Sequence, residues 1–431
     1  MTDPPLDPPL DLAGVGIGPA NLSLAALAAP VDGLRTAFFE QSPRFRWHPG
    51  LMIDGTTLQV PFLADLVSLV DPVNPLSFLA YLRDRERLFP FYLAENFHIP
   101  RAEYDDYCAW ASARLPACRY GQRVRSVRWA GDVFELDVEP AGVVRARAVV
   151  LGVGTEPVLP APLEPLAGNG VVHSADYLPA RRRLLAAPDV TVVGSGQSGA
   201  EVFLDLLRAR PSGHGTLRWL TRTPAYAPME YSKLGLEQFT PDYVRFFHGL
   251  DEPTRDRLVP AQWQLYKAIS AETIAEIHDE LYRRTVGGGW PNTALLPGVE
   301  VVAAGEGDGR IELSLRHVAQ GAAASVRTDA VVCATGYRER DTAALLAPLA
   351  DLVERDAAGR LAVDADYRVR LRAGGPLFVQ NAERHTHGVG APDLGLVAWR
   401  SARILNTVCG REVHRLPART AFTTFGLGEV P

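Results

Sequence analysis

Two glycine-rich turns have the residue types and spacing to hold the pyrophosphate of a dinucleotide, and the clearer one lies near the middle of the chain. It follows a Val-rich run, reads G-x-G-x-x-G with Gly194, Gly196 and Gly199, and leads into an amphipathic helix. In that setting the first glycine permits a tight turn, the second lets the backbone approach a phosphate, and the third lets the helix pack on the strand. The free N–H groups and the positive end of the helix dipole then face the phosphates.

The strand after this helix indicates which dinucleotide binds there. It ends at Thr221-Arg222, where an NAD site would place Asp or Glu to accept a hydrogen bond from the ribose 2′-hydroxyl. An NADP site lacks that acid and supplies an arginine for the 2′-phosphate. Arg222 therefore predicts NADPH, and a solvated surface arginine is the alternative interpretation.

The second turn lies near the amino terminus and departs from the pattern at one position. Gly16 and Gly18 are followed by Pro19, and Asn21 occupies the place of the third glycine. The next strand ends at Glu40, where an acid can accept a hydrogen bond from a ribose hydroxyl. An acid here and an arginine at the later turn imply two different nucleotides, FAD first and NADPH second. A solvated acid at a strand end is the alternative.

These turns require parallel sheets that carry them at the strand ends. Two more apolar runs, at 148–155 and 330–337, end in Gly/Thr turns where the chain would pass between the two nucleotide domains. The stretch from 231 to 289 has apolar and aromatic residues at helical spacing instead. The sequence therefore predicts an α/β fold with two Rossmann-like dinucleotide-binding domains, for FAD and NADPH, and a small helical substrate domain.

The predicted boundaries follow from this order of patterns. We expect a disordered tail at 1–10, an FAD-binding domain at 11–170 and 325–410, an NADPH-binding domain at 171–230 and 290–324, a helical substrate-binding insertion at 231–289, and a C-terminal tail at 411–431.

Composition limits the classes of function. The chain is 47% hydrophobic and 22% charged, with a formal net charge of −6 and no long run of one sign, so nucleic-acid binding has no support. No segment reaches the length of a membrane span, and the amino terminus lacks the pattern of a signal peptide, so we expect a cytoplasmic protein. The four cysteines lie far apart without C-x-x-C, which argues against a disulfide reductase and against a zinc site; we predict no metal.

Further short motifs occur along the chain. They read FRWHPGLM at 45–52, LQVPFLADL at 58–66, DP at 71–72, FLAYL at 78–82, RAEYDDY at 101–107 and HTHG at 385–388. Together with GIGPANL at the first turn and ATGY at 334–337, they resemble the flavin-dependent N-hydroxylating monooxygenases. That family comprises the ornithine, lysine and diamine N-hydroxylases of siderophore biosynthesis, and the resemblance runs from residue 11 to 410.

The resemblance implies a reaction. NADPH reduces FAD, O2 adds to the reduced flavin to give a C4a-hydroperoxyflavin, and the distal oxygen passes to a terminal primary amine. The protein then orients groups and excludes water. The amine must first lose a proton, and the sequence names no general base for that step.

The resemblance also implies roles for individual residues. Gln59, His48 and Trp47 would lie near the isoalloxazine ring as catalytic residues, with Gln59 a polar partner of flavin or NADP+. A capped turn and a solvated glutamine are the alternatives. The remaining cofactor contacts implied in this way are Gln197, Ser198, Thr335, Gly336 and Tyr337.

Departures from the members that hydroxylate amino acids indicate the substrate. Those members usually read F-L-K-D-L and pair the lysine with the substrate carboxylate, but here that position is Ala64, and an unpaired buried carboxylate would be costly. Near the carboxyl terminus, Asp393, Leu394 and Gly395 resemble the diamine branch, with an acid where a distal ammonium needs one. With Glu237 as a further contact, the resemblance predicts N-hydroxylation of putrescine or cadaverine; L-lysine is the alternative.

Other classes fit less well. Baeyer–Villiger and flavin-containing monooxygenases share both glycine turns, but Ala167 and Asn169 break their F-x-G-x-x-x-H signature. A non-catalytic sensor that holds FAD and NADPH is a further alternative. The expected partners are an amine and O2, and the resemblance suggests a homotetramer.

Overall fold

The computed structural model describes residues 8–211 and 213–427. Its helices are α1 (Pro19–Ala28), α2 (Phe78–Asp84), α3 (Leu88–Ala94), α4 (Arg101–Ser112), α5 (Tyr177–Ala186), α6 (Gln197–Ala209), α7 (Pro241–His248), α8 (Glu252–Ala261), α9 (Ala271–Arg283), α10 (Arg384–His387) and α11 (Val397–Cys409). Its strands are β1 (Leu10–Val15), β2 (Thr36–Glu40), β3 (Cys118–Tyr120), β4 (Arg123–Trp129), β5 (Phe134–Glu139), β6 (Gly142–Leu151), β7 (Thr155–Pro157), β8 (Val171–His173), β9 (Val190–Val193), β10 (Leu217–Thr221), β11 (Thr293–Pro297), β12 (Val299–Gly307), β13 (Arg310–His317), β14 (Ala323–Thr328), β15 (Ala330–Cys333), β16 (Tyr337–Glu339), β17 (Arg368–Val369) and β18 (Leu377–Val379).

The first sheet has the strand order β17-β18-β6-β1-β2-β3, and its neighbours run parallel except for the edge pair β17–β18. The antiparallel hairpin β4–β5 joins it beside β6. β1 and the second half of β6 are buried, as parallel strands covered on both faces are, which explains their continuous apolar sequences. Side chains from α1, α4 and α11, among them Leu22, Tyr107 and Leu405, form the core on one face.

The second sheet is parallel throughout, in the order β11-β10-β9-β15-β8. α6 packs on it, and Phe203 stacks on Trp219 with ring centroids 5.0 Å apart. The predicted return to the FAD domain at residue 325 is too early, because Ala330 pairs with Val190 and the whole of β15 lies between β9 and β8. The chain leaves this sheet only after β15, through the two-stranded ribbon β7–β16.

The predicted helical insertion at 231–289 has two different surroundings. α9 packs on α6, and Ile274 and Ile277 join the core of the second sheet, since the apolar stripe of α9 faces that helix. α7 and α8 pack against α10 instead, and Tyr243 and Phe247 form a small core of their own with neighbouring side chains. The insertion is therefore not one separate helical unit.

The carboxyl-terminal residues that the structure describes pack on α7 rather than extending as a plain tail. The Asp242 carboxylate accepts hydrogen bonds from the backbone N–H groups of Thr420 (2.5 Å) and Ala421 (2.8 Å). Phe425 packs edge-on against Tyr243, with centroids 5.1 Å apart. In the described ranges, no helix has both the length and the apolar character needed to cross a membrane.

Candidate active site at the strand ends of the two sheets

The first glycine turn has the shape that a pyrophosphate requires. Gly16 has a φ of 86°, and a Cβ there would lie 2.5 Å from the carbonyl oxygen of Gly152, so only glycine fits. Gly18 begins α1 with Pro19 in its first turn, and a Cβ on Gly18 would face open space. The free N–H groups of α1 thus point into room for an anion.

Asn21 supports this turn from behind. Its side chain is fully buried and donates from Nδ2 to the carbonyl oxygens of Val15 (3.1 Å) and Gly16 (2.9 Å), while Oδ1 accepts from Gln380 Nε2 (3.0 Å). It also fills the space beside Gly152, whose Cβ would lie 2.6 Å from it. The side chain of Asn21 therefore shapes the turn, because the buried strand ends need a partner, and a contact of Asn21 with the cofactor stays a prediction.

Glu40 lies where the ribose is expected. Its carboxylate accepts from the backbone N–H of Ile17 in the glycine turn (3.0 Å) and from that of Ser42 (2.8 Å). A carboxylate has about four acceptor positions, so capacity remains for ribose hydroxyls.

The second glycine turn repeats the geometry of the first. Gly194 has a φ of 133°, and its Cβ would lie 2.1 Å from the carbonyl oxygen of Ala334. A Cβ on Gly199 would lie 2.6 Å from the carbonyl oxygen of Gly194, which is the close approach of helix to strand that the third glycine allows. A Cβ on Gly196 would meet the carbonyl oxygen of Lys267 at 3.2 Å, so the α8–α9 segment borders this turn.

Gln197 ties α6 to α9. Its Nε2 donates to Glu201 Oε1 and to Thr273 Oγ1, both at 2.9 Å, and its Oε1 accepts from the backbone N–H of Ser270 (2.8 Å). The start of α9 thus offers a partner for each polar atom of this side chain, and the contact of Gln197 with the NADPH phosphates stays a prediction. Ser198 is half-buried in the first turn of α6, and its role stays a prediction.

Three cations meet beside the second turn. Burial lowers the pKa of Lys267, and the nearby charges of Arg384 and Arg222 lower it further. Lys267 and Arg384 both lie over the ring of Tyr266, at 5.3 Å and 5.5 Å from its centroid. None of the three forms an ion pair within the described chain, so the cluster suits a phosphate dianion. The sequence pointed only to Arg222, because the other two come from distant segments.

Replacing Arg222 with Ala is expected to raise the KM for NADPH about 10- to 100-fold, since hydrogen bonds to charged groups contribute roughly 1.5–3 kcal/mol. The KM for NADH, which lacks the 2′-phosphate, should change little. Steady-state flavin reduction with each nucleotide measures both values. Arg218→Ala is the matched control, because Arg218 lies on β10, the strand that Arg222 directly follows, but reaches the backbone of Arg327. An equal rise of both KM values would contradict the assignment.

The Trp47–His48 loop lies between α4 and the ATGY motif. The backbone N–H of Trp47 donates to Asp105 Oδ1 (2.6 Å), and its ring packs edge-on against Tyr104 and His48, with centroids 5.1 Å and 5.0 Å away. His48 has left-handed backbone angles (φ 45°, ψ 52°) and its ring lies edge-on to Tyr337 at 5.7 Å. The structure thus brings these two predicted catalytic residues next to the ATGY motif.

Burial is the main reason why His48 is neutral. Burial, and then the charge of Arg101, lower the pKa of His48 to about 4. Arg101 in turn makes a bidentate ion pair with the buried Glu201, at 2.7 Å for each oxygen, which joins α4 of the first sheet to α6 of the second. Gly50 lets the Trp47–His48 loop approach the segment at Ala175 closely, because a Cβ at Gly50 would lie 1.7 Å from the carbonyl oxygen of Ala175.

Gln59 offers a polar group that has no protein partner. Its main-chain oxygen accepts from the Tyr231 hydroxyl (3.1 Å), and the adjacent Leu58 N–H donates to the carbonyl oxygen of Ile99 (2.8 Å), which fixes the backbone. Its Nε2 is buried and makes no hydrogen bond to any residue the structure describes. A buried donor left unpaired costs about 1–3 kcal/mol, so this nitrogen fits a site whose acceptor comes from a bound flavin or nicotinamide.

The ATGY motif lines the same space. Thr335 Oγ1 donates to the carbonyl oxygen of Val158 (2.5 Å), and His173 Nε2 bonds to the carbonyl oxygen of Gly336 (3.0 Å). Gly336 has a φ of 87° and faces open space. The Tyr337 hydroxyl is buried and finds no partner in 8–211 or 213–427. The hydroxyl of Thr335 and the carbonyl oxygen of Gly336 thus fix the backbone, while the Tyr337 hydroxyl is available to a cofactor.

Asp393 is the acid that the sequence predicts on the substrate side. Its Oδ1 accepts from the backbone N–H of Gly395 (2.7 Å), and Leu394 packs into the first core. Burial raises the pKa of Asp393 to about 6, while the Gly395 N–H and the charge of Arg400 oppose the rise. Its charge contributes to the raised pKa values of Tyr231 and Tyr104, which places it in the same region as both hydroxyls.

Two other predicted substrate residues have different surroundings. Ala64 is buried and brings no charge, as expected. Glu237 accepts hydrogen bonds from the backbone N–H groups of Phe422 (2.9 Å) and Thr423 (2.8 Å). Glu237 therefore fixes the carboxyl-terminal segment, and its contact with the substrate stays a prediction.

Comparison with known proteins agrees with this geometry. A family model described as L-lysine 6-monooxygenase/L-ornithine 5-monooxygenase matches residues 8–339. The rhizobactin siderophore biosynthesis protein RhbE of Rhizobium meliloti (strain 1021) is 46% identical over 433 residues, covering 97% of this chain and 95% of that protein. A putrescine N-hydroxylase of Shewanella oneidensis is 39% identical, covering 96% of this chain and 84% of that protein.

A solved structure extends the likeness to the whole fold. The FAD-bound cadaverine monooxygenase DfoA of Erwinia amylovora superimposes with a TM-score of 0.94 at 36% identity, covering 99% of this chain and 100% of that one. These findings confirm the predicted α/β fold with two Rossmann-like domains and the cofactors FAD and NADPH. The chain belongs to the L-lysine 6-monooxygenase/L-ornithine 5-monooxygenase family and is a flavin-dependent N-hydroxylating monooxygenase.

Proposed function

We propose that this enzyme N-hydroxylates one terminal amine of a diamine, putrescine or cadaverine, in the biosynthesis of a hydroxamate siderophore. The observation that carries the proposal is the charge on the substrate side: Asp393 supplies an anion, and the buried Ala64 supplies no cation for a carboxylate. Asp393 makes no ion pair with any described residue. The similarity of this chain to a putrescine N-hydroxylase and to a cadaverine monooxygenase supports the same substrate class.

The residues present fit the two cofactors. Gly16, Gly18 and Pro19 would hold the FAD pyrophosphate and Glu40 its ribose, while Gly194, Gly196, Ser198 and Gly199 would hold that of NADPH. Reduced FAD supplies the activated oxygen when it is bound. The unpaired Nε2 of Gln59 would donate to the flavin or the nicotinamide and so fix their relative position. A neutral His48 beside Trp47 would cover this space without adding a charge, and the loop would limit the access of water.

Asp393 would orient the substrate through its far end. A diamine carries two ammonium groups at neutral pH, but only a neutral amine has the lone pair that accepts an oxygen atom. Loss of that proton costs about 4 kcal/mol at pH 7.4 for a pKa near 10.4. An apolar environment at the reacting end lowers this cost, while the carboxylate at the other end keeps the distal ammonium charged. The two ends of one substrate thereby take different protonation states.

A panel of amines tests this proposal. Purified enzyme loaded with FAD should form hydroxylamine product from cadaverine or putrescine with NADPH, and much less from L-lysine or L-ornithine. L-Lysine as the best substrate would overturn the diamine assignment. NADPH oxidation without any hydroxylamine, whatever the amine, would instead favour a non-catalytic role.

Two further features belong to this proposal. The family resemblance suggests a homo-oligomer, with a tetramer as the expected form, and the cytoplasmic location predicted from the sequence is part of the same proposal. Apart from the position of β15 and the split of the helical insertion, the predicted domain boundaries serve as a working division for truncation experiments.

A further inference from the structure

The short helix α3 exposes an apolar face that nothing in the described chain covers. Phe91 anchors the helix, with its ring edge-on to Phe62 (5.1 Å) and Phe78 (5.6 Å). No residue of α3 is fully buried. The helix is therefore held by one side chain and presents its other face to the outside.

The outward face is a continuous stripe. Phe89, Tyr92 and Leu93 are 80%, 74% and 74% exposed, and their i, i+3, i+4 spacing places them side by side. Phe97, just beyond the helix, is 55% exposed. Large aromatic side chains bury about 150–250 Å² each, so this patch offers several hundred Å² of apolar surface, as much as the largest patch on a typical monomer.

We propose that this stripe is the centre of a two-fold interface between two copies of the chain. The proposal rests on the homo-oligomer suggested above and identifies its contact surface. A two-fold axis over the middle of α3 would place two α3 helices antiparallel, with Phe89 of each copy against Leu93 of the other. Such an interface uses the same patch on both copies and closes without further growth.

The charges at the two ends of α3 suit this arrangement. Arg87 lies at the amino end and is half-exposed, although it also pairs with Glu103 (2.6 Å). Glu95 follows the carboxyl end and has no ion pair among the residues described. When the two-fold axis relates two antiparallel α3 helices, Glu95 of each copy lies next to Arg87 of the other, so the interface contains two such pairs. An apolar centre with a charged rim has the composition of a standard interface, which buries about 800 Å² on each partner.

The mass of the holoenzyme in solution tests the interface. Light scattering on FAD-loaded enzyme at micromolar concentration should give a multiple of 46.8 kDa. Phe89→Glu combined with Leu93→Glu should lower that mass two-fold, with FAD content and unfolding temperature retained because both side chains are exposed. Val286→Glu is the matched control, since Val286 is also a highly exposed apolar residue but lies after α9. An unchanged mass in the double variant would overturn the proposal.

A cross-linking experiment tests whether a second copy of the chain covers the stripe. Tyr92→Cys should form a covalent dimer with a short bismaleimide, and Val286→Cys should not. A wild-type chain that scatters as a monomer and binds phospholipid vesicles through this stripe would overturn the proposal in favour of a membrane surface. Both readouts are independent of amine turnover, so absence of hydroxylamine product would contradict the proposed reaction and leave this interface standing.

Discussion

Asp393→Asn is expected to lower kcat/KM for cadaverine about 10- to 100-fold, because a hydrogen bond to a charged group contributes roughly 1.5–3 kcal/mol. Asn keeps the acceptor for the Gly395 N–H and nearly the same shape, so the change removes the charge alone. Hydroxylamine formation under NADPH saturation measures the effect.

A monoamine separates recognition of charge from damage to the site. Pentylamine has the reacting end of cadaverine but no distal ammonium, so wild type and Asp393→Asn should turn it over at equal, slow rates. An equal loss with both amines would show that Asp393 acts on the structure of the loop, and the proposed contact would then be wrong.

The pH dependence of the same pair of enzymes gives a second test. The pKa of Asp393 is raised to about 6, so the carboxylate that attracts an ammonium is charged above that pH and protonated below it. The ratio of kcat/KM for cadaverine between wild type and Asp393→Asn should be constant well above pH 6 and fall toward 1 as the pH drops through and below 6, where the carboxyl becomes neutral like the asparagine. Taking the ratio removes the titration of the substrate amine, which affects both enzymes alike. A ratio independent of pH would contradict the role of this carboxylate.

The sequence is enough to predict the features that depend on local backbone geometry. Gly16 and Gly194 are required because each turn adopts a positive φ close to a carbonyl oxygen at the end of the neighbouring strand. That requirement is visible in the sequence as a short glycine motif. The direction of a side chain in the same turn depends on distant residues. The partner of Asn21 is Gln380, 359 residues away, and that of Gln197 is Ser270, 73 residues away.

The same limit applies to clusters built from several segments. Lys267 comes from the loop before α9 and Arg384 from α10, and neither belongs to a motif that indicates a phosphate site. The same limit explains why the predicted domain boundary at residue 325 is too early, because the apolar sequence of β15 would fit either sheet. Only its hydrogen bonds with β9 and β8 assign it to the second.

Arg400→Met is expected to lower the free energy of unfolding of the FAD-loaded enzyme by about 3–5 kcal/mol, the usual cost of leaving one member of a buried ion pair alone. Arg400 and Glu383 are 1% and 0% exposed, and Nη1 lies 2.5 Å from Oε1. Urea unfolding followed by fluorescence measures the loss. Arg403→Met is the matched control: it lies on the same helix and pairs with the half-exposed Asp366, so about 1 kcal/mol or less is expected.

The double variant Arg400→Met, Glu383→Leu should be more stable than Arg400→Met alone, because it leaves no buried charge without a partner. If the loss of stability in the double variant equalled the sum of the losses in Arg400→Met and Glu383→Leu, the two residues would not be coupled. Arg400 also donates to the carbonyl oxygen of Ala391, two residues before Asp393. Arg400→Met should therefore also raise the KM for cadaverine at temperatures where the enzyme stays folded, whereas Arg403→Met should not.

The loss in Arg400→Met should also depend on pH, with a sign set by Glu383. Burial raises the pKa of Glu383, and the charge of Arg400 opposes that rise. Without Arg400 the folded-state pKa moves further above the unfolded value, so the carboxyl is held neutral in the folded protein. A group with a raised folded-state pKa stabilises the fold below its unfolded pKa and loses that contribution as the pH rises through the folded pKa. The variant should therefore lie closest to wild type near pH 5 and furthest from it near pH 8. The opposite trend would mean that Glu383 finds another cation in the variant.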